Sequence, residues 1–360
     1  VAMSGRPIAL AAGGTGGHVF PAEALAAELV RRGHRPVLVT DRRGSGYERR
    51  FPGIEVVRVR AATFAGRGAL GKLMAAAEIG LGTWEARRAL RALGPAVVVG
   101  FGGYPSLPTM LAAGALGLPT VVHEQNAKLG RVNRLLAARA KAIAASFEDM
   151  QGLRAEDAAK VALTGNPVRP AIVALRDQPY SAPAAAAPVR ILILGGSQGA
   201  TVLSDVVPQA LIGLPPALRA RLAIAQQCRA EDLARVRAAY AYARMDVELA
   251  AFFDDVPARL AACHLAITRA GASTVSELNV IGRPAILVPY RHAADDHQTA
   301  NAQSAVTAGA ARMMAPDGFT PAALADTVKA LLADGPALEA MAAAARGLGR
   351  ADAAARLADL

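Results

Sequence analysis

Apolar and polar residues alternate along this chain in blocks of two lengths. Short runs rich in Val, Ile and Leu are separated by longer stretches rich in Ala, Leu and Arg. Short apolar runs between turn residues predict buried strands and the longer stretches predict helices, so the pattern indicates βα units and mostly parallel sheets. The predicted strands are residues 8–12, 37–40, 55–59, 96–100, 120–123, 142–145, 190–194, 222–226, 247–250, 265–268, 285–288 and 311–314.

The alternation breaks once, in the middle of the chain. Residues 164–170 read TGNPVRP, and residues 177–188 contain three prolines and an alanine run, which predicts an exposed loop. The tail at residues 336–360 predicts a helix broken near Gly347 and Gly349. We therefore expect two α/β halves with a hinge near residue 165.

Composition agrees with two domains in a reducing cytoplasm. The chain has 360 residues, of which 53% are hydrophobic and 4% aromatic, and its two cysteines form neither a CxxC pair nor a disulfide framework. The net charge of +11, from 40 basic and 29 acidic residues, suits nucleic acid, anionic lipid or phosphorylated ligands. Nucleic acid is disfavoured because the sequence has no aromatic-rich basic stretch and no zinc-finger spacing.

Two glycine clusters of similar design carry the strongest functional signal. They are GGTGGH at residues 13–18 and GGSQGA at residues 195–200, each between a predicted strand and a predicted helix. This arrangement places backbone N–H groups at a helix N-terminus, where they bind anions such as a diphosphate. A third turn, GFGGYPS at residues 100–106, also follows a strand, although plain tight-turn chemistry explains any one loop. Two such units predict two nucleotide-binding halves around a shared cleft.

A dinucleotide-dependent dehydrogenase is the alternative for the first cluster. Asp41, after the second strand, would then hold the ribose of NAD. However, Val19 stands where that fingerprint requires Gly or Ala, and such an enzyme needs one loop rather than two.

Six motifs, in order, resemble those of one family. They are GGTGGH at residues 13–18, GGY at 102–104, HEQN at 123–126, GNPVR at 165–169, GGSQGA at 195–200 and STVSE at 273–277. The chain closely resembles the MurG family of bacterial peptidoglycan glycosyltransferases, from about residue 8 to the C-terminal helix. Any one motif is modest evidence, but six in register are specific.

The resemblance implies a GT-B fold, an α/β architecture of two Rossmann-like domains with parallel sheets facing a central cleft. Residues 1–164 would bind the acceptor and the membrane, residues 165–344 would bind UDP-GlcNAc, and a helix at about 345–360 would pack back on the first domain. The implied reaction transfers GlcNAc, with inversion, from UDP-GlcNAc to the C4 hydroxyl of MurNAc in lipid I, giving lipid II. It needs no cofactor and no catalytic metal.

The resemblance also implies a peripheral protein on the cytoplasmic face of the bacterial inner membrane. Its partners would be lipid I and the anionic membrane surface, with other cell-wall and division proteins as further candidates and no nucleic acid. Two other classes stay open. One is a different UDP-sugar enzyme of this fold, such as a glycolipid synthase or a sugar-nucleotide epimerase, and the other is a non-catalytic nucleotide-sugar-binding scaffold.

Ligand-binding residues follow from the same resemblance. Those matched to donor binding are Thr15, Gly16, Gly17, Asn126, Arg169, Ser197, Phe253, Ala272, Ser273, Thr274, Val275, Ser276, Glu277 and Gln298. Those matched to the acceptor diphosphate are Gly13, Gly14, Gly102, Gly103 and Tyr104. Some family members have two glutamines where this chain has His297-Gln298, which leaves the first of those contacts open.

The STVSE motif has an independent chemical interpretation. Ser273 begins a predicted helix, where a hydroxyl and the helix dipole favour a diphosphate, and Glu277 lies on the same helix face to accept from ribose hydroxyls. The alternative is a capping box in which Ser273 and Ser276 only start a helix.

His18 is the candidate general base, because imidazole titrates near the working pH and lies at the mouth of the first loop. Glu124 is the weaker candidate for the base. The alternative for His18 is that it only caps the helix in which it lies or binds phosphate. Residues 254–255 predict a helix cap rather than a metal site, and His292 and His297 with residues 295–296 predict a polar loop and a helix start.

Residues 64–93 mix apolar and basic side chains. The apolar ones are Phe64, Leu70, Leu73, Met74, Ile79, Leu81 and Trp84, and the basic ones are Arg67, Lys72, Arg87, Arg88 and Arg91. This mixture fits an interfacial patch on anionic lipid, and equally a core helix with a charged outer face.

Overall fold

The computed structural model describes residues 5–42, 47–64, 68–196, 199–291 and 293–360. The first elements are β1 (Ile8–Ala11), α1 (Gly16–Arg31), β2 (Pro36–Asp41), α2 (Tyr47–Arg50), β3 (Glu55–Val59), α3 (Ala69–Leu93), β4 (Val97–Gly100), α4 (Gly103–Ala115), β5 (Thr120–Glu124), α5 (Arg131–Ala137), β6 (Ala142–Ala145) and β7 (Val161–Leu163). The later elements are α6 (Pro170–Val173), β8 (Val189–Leu194), α7 (Thr201–Ile212), α8 (Pro216–Arg219), β9 (Leu222–Gln227), α9 (Leu233–Tyr242), β10 (Val247–Ala250), α10 (Val256–Ala262), β11 (Leu265–Thr268), α11 (Ala272–Ile281), β12 (Ala285–Leu287), α12 (His297–Thr307), β13 (Ala311–Met313), α13 (Pro321–Ala333), α14 (Gly335–Leu348) and α15 (Ala353–Asp359). Short 3-10 helices occupy Ala155–Lys160, Ala294–Asp296 and Pro316–Gly318.

The chain divides into two compact α/β units, each built on its own parallel sheet. The first unit comprises the described residues of Val1–Arg169 and Arg350–Leu360, and the second comprises Pro170–Gly349. The sheet of the first unit has the strand order β3-β2-β1-β4-β5-β6-β7, and that of the second has the order β10-β9-β8-β11-β12-β13. The predicted βα architecture is therefore confirmed.

Strand β1 shows why these runs are apolar throughout. Leu10 is in register with Leu38 on one side and Val99 on the other, and it packs against a cluster that includes α1 and α15. Its neighbours Ala9 and Ala11 face the opposite cluster, which α3 and α4 complete. Helices thus cover both faces of the sheet, and the carboxyl end of β1 is left to the first glycine loop.

The second sheet is covered in the same way. On β8, Ile191 and Ile193 pack against Leu203 of α7 and Val328 of α13 in one buried cluster. The glycine cluster at residues 195–200 follows β8, as the first cluster follows β1.

All twelve predicted strands are present, with bounds within one residue of those observed. Strand β7 was not predicted. It lies at the edge of its sheet and directly follows a 3-10 helix, so the alternation of a short apolar run with a long helical stretch, which marks the other strands, is missing there.

The first boundary between the units lies five residues beyond the predicted one, between Arg169 and Pro170. The backbone N–H groups of Thr164 and Gly165 both donate to the carbonyl of Ala145 at 3.1 Å. These bonds continue the ladder of β6, which keeps the GNPVR segment with the first unit.

The second boundary, between Gly349 and Arg350, also lies five residues beyond the prediction. Gly349 packs so closely on the backbone of Asn279 and Val280 that it has no room for a Cβ, so residues 345–349 stay with α11. Of the predicted C-terminal helix, the part that packs on α1 is α15, and Arg32 pairs there with Asp359 at 2.5 Å.

Candidate active site

The first glycine loop joins β1 to α1 in a space with no room for side chains. A Cβ on Gly13 would lie 2.8 Å from Thr40 Oγ1 and 2.9 Å from Pro105 Cβ, and Gly14 has a φ of +84°. Thr15 is the N-cap residue of α1, but its side chain makes no capping hydrogen bond. The N–H groups of Gly16 and its neighbours therefore begin the helix without a hydroxyl cap, as an anion site requires. Ligand binding by this loop remains a prediction.

His18 lies in the first turn of α1, against the third glycine turn. Its Nδ1 is 2.7 Å from the carbonyl oxygen of Phe101, and a Cβ on Gly103 would lie 3.1 Å from its Nε2. A carbonyl only accepts hydrogen bonds, so Nδ1 carries the hydrogen, and in the neutral ring the lone pair is on Nε2. This is the tautomer of a base that takes up a proton at Nε2.

The third glycine turn depends on two left-handed residues. Gly102 has a φ of +80° and Gly103 a φ of +70°, where a side chain would be strained. Tyr104 follows, with its ring packed edge-on against Phe64 at a centroid separation of 6.2 Å. The structure thus brings the first and third loops together around His18.

The carboxylate of Glu124 is buried and is shared among four N–H donors. It accepts from the backbone and side-chain amides of Asn126, both at 3.0 Å, from Gly130 N at 2.8 Å and from Asn133 Nδ2 at 2.8 Å. A carboxylate in this position shapes the loop that carries Asn126. The geometry does not support Glu124 as a base that meets substrate. No motif in the sequence identifies Asn133 as part of this network.

Arg169 also belongs to the first unit. Its guanidinium lies over the ring of Phe20 at 5.1 Å, and that of Arg50 lies over the same ring at 4.9 Å. Burial raises the pKa of the nearby Glu23 carboxyl, and the charges of Arg50 and Arg169 oppose that effect. Phe20 therefore carries two cations beside the first glycine loop.

In the second unit, α11 begins without a side-chain cap. Its N-cap residue is Gly271, which has no side chain to cap the helix. Ser273 is thus the second helical residue, and the capping-box alternative for Ser273 and Ser276 is wrong. The hydroxyl of Ser273 is buried and has no hydrogen-bond partner in the described part of the chain, and Glu277 is buried one turn further on. Donor binding by residues 272–277 remains a prediction with favourable geometry.

The second glycine loop follows β8, and of its six residues Ser197 and Gln198 lie outside the described residues. Gly196 and Gly199 have φ values of +82° and +68°. Arg229 lies beside Gly199 and donates to the hydroxyl of Thr201, the first residue of α7, at 2.9 Å.

Phe253 is buried after β10, and the guanidinium of Arg259 lies 4.0 Å from its ring centroid. Asp255 occupies the N-cap position of α10, but it makes no side-chain capping bond. It binds Arg259 at 2.6 Å instead, and this hydrogen bond lowers the pKa of Asp255. The cap predicted for residues 254–255 is therefore replaced by an ion pair.

Gln298 lies in the first turn of α12, and its Oε1 accepts from Tyr290 N at 2.9 Å. With the amide oxygen engaged in this bond, the N–H₂ group is the donor end of the side chain. His297 is the first residue of α12, as predicted, and His292 lies outside the described residues. Among the residues that are described, no group of three His, Cys, Asp or Glu side chains is placed to hold a metal ion.

Helix α3 is apolar on two opposite faces. One face is buried, through Ala75, Ile79, Gly82, Ala86 and Leu90. The other, called here the α3 apolar face, is 50–72% exposed and consists of Leu70, Leu73, Met74, Leu81 and Trp84. Their spacing follows one stripe of a helix. Lys72, Arg87, Arg88 and Arg91 are exposed on the same helix, whereas Arg67 lies outside the described residues.

Two predicted members of this patch point elsewhere. Ile79 is buried in the core, and Phe64 packs on Tyr104. The helix therefore combines the core helix and the apolar surface that the sequence left as alternatives. Within the described residues, no helix has the length and hydropathy needed to cross a bilayer.

Comparison with known proteins assigns both units to one family. The glycosyltransferase family 28 N-terminal domain matches residues 8–145, and the glycosyltransferase family 28 C-terminal domain matches residues 190–357. The crystal structure of Acinetobacter baumannii MurG aligns with a TM-score of 0.77 and 31% identity, over 99% of this chain and 98% of that one.

Two curated relatives are more similar in sequence. The UDP-N-acetylglucosamine–N-acetylmuramyl-(pentapeptide) pyrophosphoryl-undecaprenol N-acetylglucosamine transferase of Rhodospirillum centenum is 56% identical, over 99% of this chain and 94% of the relative. The transferase of the same name from Paramagnetospirillum magneticum is 54% identical, over 98% and 95%. With its two parallel-sheet α/β domains, the chain therefore belongs to the MurG family of glycosyltransferase family 28, enzymes of the GT-B fold.

Proposed function

We propose that this protein transfers GlcNAc from UDP-GlcNAc to the C4 hydroxyl of MurNAc in undecaprenyl-pyrophosphoryl-MurNAc-pentapeptide, the step that converts lipid I to lipid II. The observation that carries the proposal is the match, over 99% of the chain, to a transferase named for this donor and acceptor. Several features of the two units support it.

The second unit supplies a site for the nucleotide diphosphate. The N-terminus of α11 has no side-chain cap, and the buried hydroxyl of Ser273 lies there without a partner in the described residues. Such a site attracts negative charge and stabilises the charge that grows on departing UDP. Glu277 would accept from the ribose hydroxyls, and the amide of Gln298 would donate to the sugar.

The first unit supplies the base. The acceptor O4 attacks C1 of GlcNAc from the face opposite the diphosphate, so the anomeric centre inverts. As the O4–C1 bond forms, the bond from C1 to the β-phosphate oxygen breaks, and its electron pair leaves with UDP. The hydroxyl proton passes to Nε2 of His18, whose Nδ1–H donates to Phe101 O at 2.7 Å. Because helix N-termini and amides stabilise the leaving group, we propose that the transfer needs no metal ion.

The α3 apolar face supports work at a membrane surface. Five large apolar side chains in one exposed stripe, with exposed Lys and Arg on the same helix, fit an anionic lipid interface. The acceptor is a polyprenyl lipid, so a peripheral enzyme meets it there. We propose the cytoplasmic face of the inner membrane, where UDP-GlcNAc is available.

The test is turnover with UDP-GlcNAc and a lipid I analogue. We expect UDP release that requires the acceptor, and a disaccharide product. His18→Ala should lower kcat by about 10²- to 10⁴-fold while UDP binding is kept. Glu277→Ala should weaken UDP binding. UDP release without acceptor, epimerised UDP-sugar, or nucleotide binding with no turnover in the wild type would each overturn the proposal.

A further inference from the structure

A buried hydrogen-bond chain lies behind His18. The Phe101 carbonyl that receives His18 Nδ1–H at 2.7 Å also receives Gln125 Nε2 at 2.8 Å. Gln125 Nε2 is also 3.0 Å from Nδ1 of His123, and Nε2 of His123 is 3.3 Å from the carbonyl of Gly165. Gln125 and His123 are 2% and 0% exposed, so water does not compete for these groups.

Counting hydrogens along this chain gives one consistent arrangement. The Gly165 carbonyl only accepts, so Nε2 of His123 is its donor. Burial lowers the pKa of His123 to about 4, so the ring is neutral near pH 7 and its Nδ1 accepts. The amide nitrogen of Gln125 then uses its two hydrogens on Phe101 O and His123 Nδ1. Both lone pairs of the Phe101 oxygen are occupied, one by Gln125 and one by His18.

The Phe101 carbonyl needs such support because the backbone that follows it is conformationally unrestrained. Phe101 N is fixed by a 3.0 Å bond to Ala11 O. The next two residues, Gly102 and Gly103, have positive φ values and no side chains to restrict the peptide that bears this carbonyl. Rotation of that peptide would withdraw the acceptor that selects the His18 tautomer.

Gln125 itself carries a structural penalty that its donor role explains. Its Oε1 is buried and has no donor in the described part of the chain. An apolar residue of similar size would avoid that unsatisfied oxygen. What an apolar residue would lack is the pair of N–H donors toward Phe101 and His123.

We propose that Gln125 is a positioning residue: by holding the Phe101 carbonyl, it keeps His18 in the tautomer whose Nε2 accepts the substrate proton. Gln125 does not touch substrate. The inference rests on the proposed base role of His18 for its effect on rate, but its effect on the His18 ring is independent of activity.

The experiment uses Gln125→Met in the full-length protein labelled with 15N-histidine. Long-range 1H–15N correlation spectra report the tautomer of each ring, and loss of one signal set in His18→Ala assigns His18 among the six histidines. We expect His18 to shift from the Nδ1–H form to a mixture of tautomers. The kcat should fall at least about tenfold, while KM for UDP-GlcNAc changes less than about twofold.

The matched control is Gln226→Met in the second unit. Gln226 is also fully buried, and its Oε1 accepts from Tyr240 at 2.8 Å. This variant makes the same chemical change and should leave the His18 spectrum as in the wild type. If Gln125→Met does not fold, Gln125→Leu also removes both amide donors and carries the same expectation.

An unchanged His18 tautomer in the folded variant would overturn the proposal, even if kcat falls, because a structural defect alone would then explain the loss. An equal tautomer change in Gln226→Met would also overturn it. If the wild type shows no GlcNAc transfer, the proposed function fails, while the spectra still decide the role of Gln125.

Discussion

A charge placed on the α3 apolar face should detach the protein from membranes without harming its chemistry. Leu73 is 69% exposed, and full burial of a leucine contributes about 1.5–3 kcal/mol, so its insertion into lipid contributes about 1–2 kcal/mol. A glutamate loses this and adds repulsion of about 1 kcal/mol from an anionic surface. Leu73→Glu should therefore weaken membrane binding by about 2–3 kcal/mol, or roughly 30- to 150-fold.

The assay is sedimentation with vesicles rich in phosphatidylglycerol. The matched control is Tyr242→Glu, at the end of α9 in the second unit, where the side chain is 94% exposed. We expect vesicle binding to fall only in Leu73→Glu, with transfer to a short-chain, water-soluble acceptor unchanged in both. Wild-type binding by Leu73→Glu, or an equal loss in Tyr242→Glu, would show that this stripe is not the contact surface.

Three further outcomes follow from buried groups. Burial lowers the pKa of His123 to about 4, so below pH 6.5 the unfolded state takes up a proton that the folded state does not. In urea titrations, the free energy of unfolding should therefore fall by up to about 1.4 kcal/mol per pH unit toward pH 4. The His123→Gln variant should lack that pH-dependent component. A Cβ on Gly82 would overlap the Arg60 carbonyl, whereas a Cβ on Gly80 would have nothing within 4 Å. Thermal unfolding should therefore show Gly82→Ala destabilised by about 1–3 kcal/mol and Gly80→Ala unchanged or stabilised. Equal effects of the two substitutions would contradict this packing. Glu124→Gln places an amide N–H₂ group against N–H donors, so denaturant unfolding should show that the free energy of unfolding falls by about 3 kcal/mol. If Glu124 instead faced solvent as a base, the same substitution would leave the free energy of unfolding unchanged.

Sequence reasoning located the strands because both sheets are covered on both faces. A strand buried on two sides must be a continuous apolar run, as β1 and β8 are, and such runs stand out against Ala- and Arg-rich helices. Strand β7 directly follows a 3-10 helix at a sheet edge, so no long helical stretch sets its residues apart. The unit boundaries were each displaced by five residues because they depend on contacts such as Gly349 against α11, which a local pattern does not contain.

The same limit explains the site. Glycine spacing identified the loops, since positive φ values and close approaches leave a mark in the sequence itself. Adjacent polar residues of the HEQN motif, however, have different roles that only their partners distinguish. Glu124 is directed to loop amides, while Gln125 reaches a carbonyl 24 residues away. Strand alternation sends neighbours to opposite faces, so adjacent positions in a motif meet different surroundings. A motif therefore locates a site in the fold. The hydrogen-bond partners then decide which of its residues can contact a ligand and which position the residues that contact it.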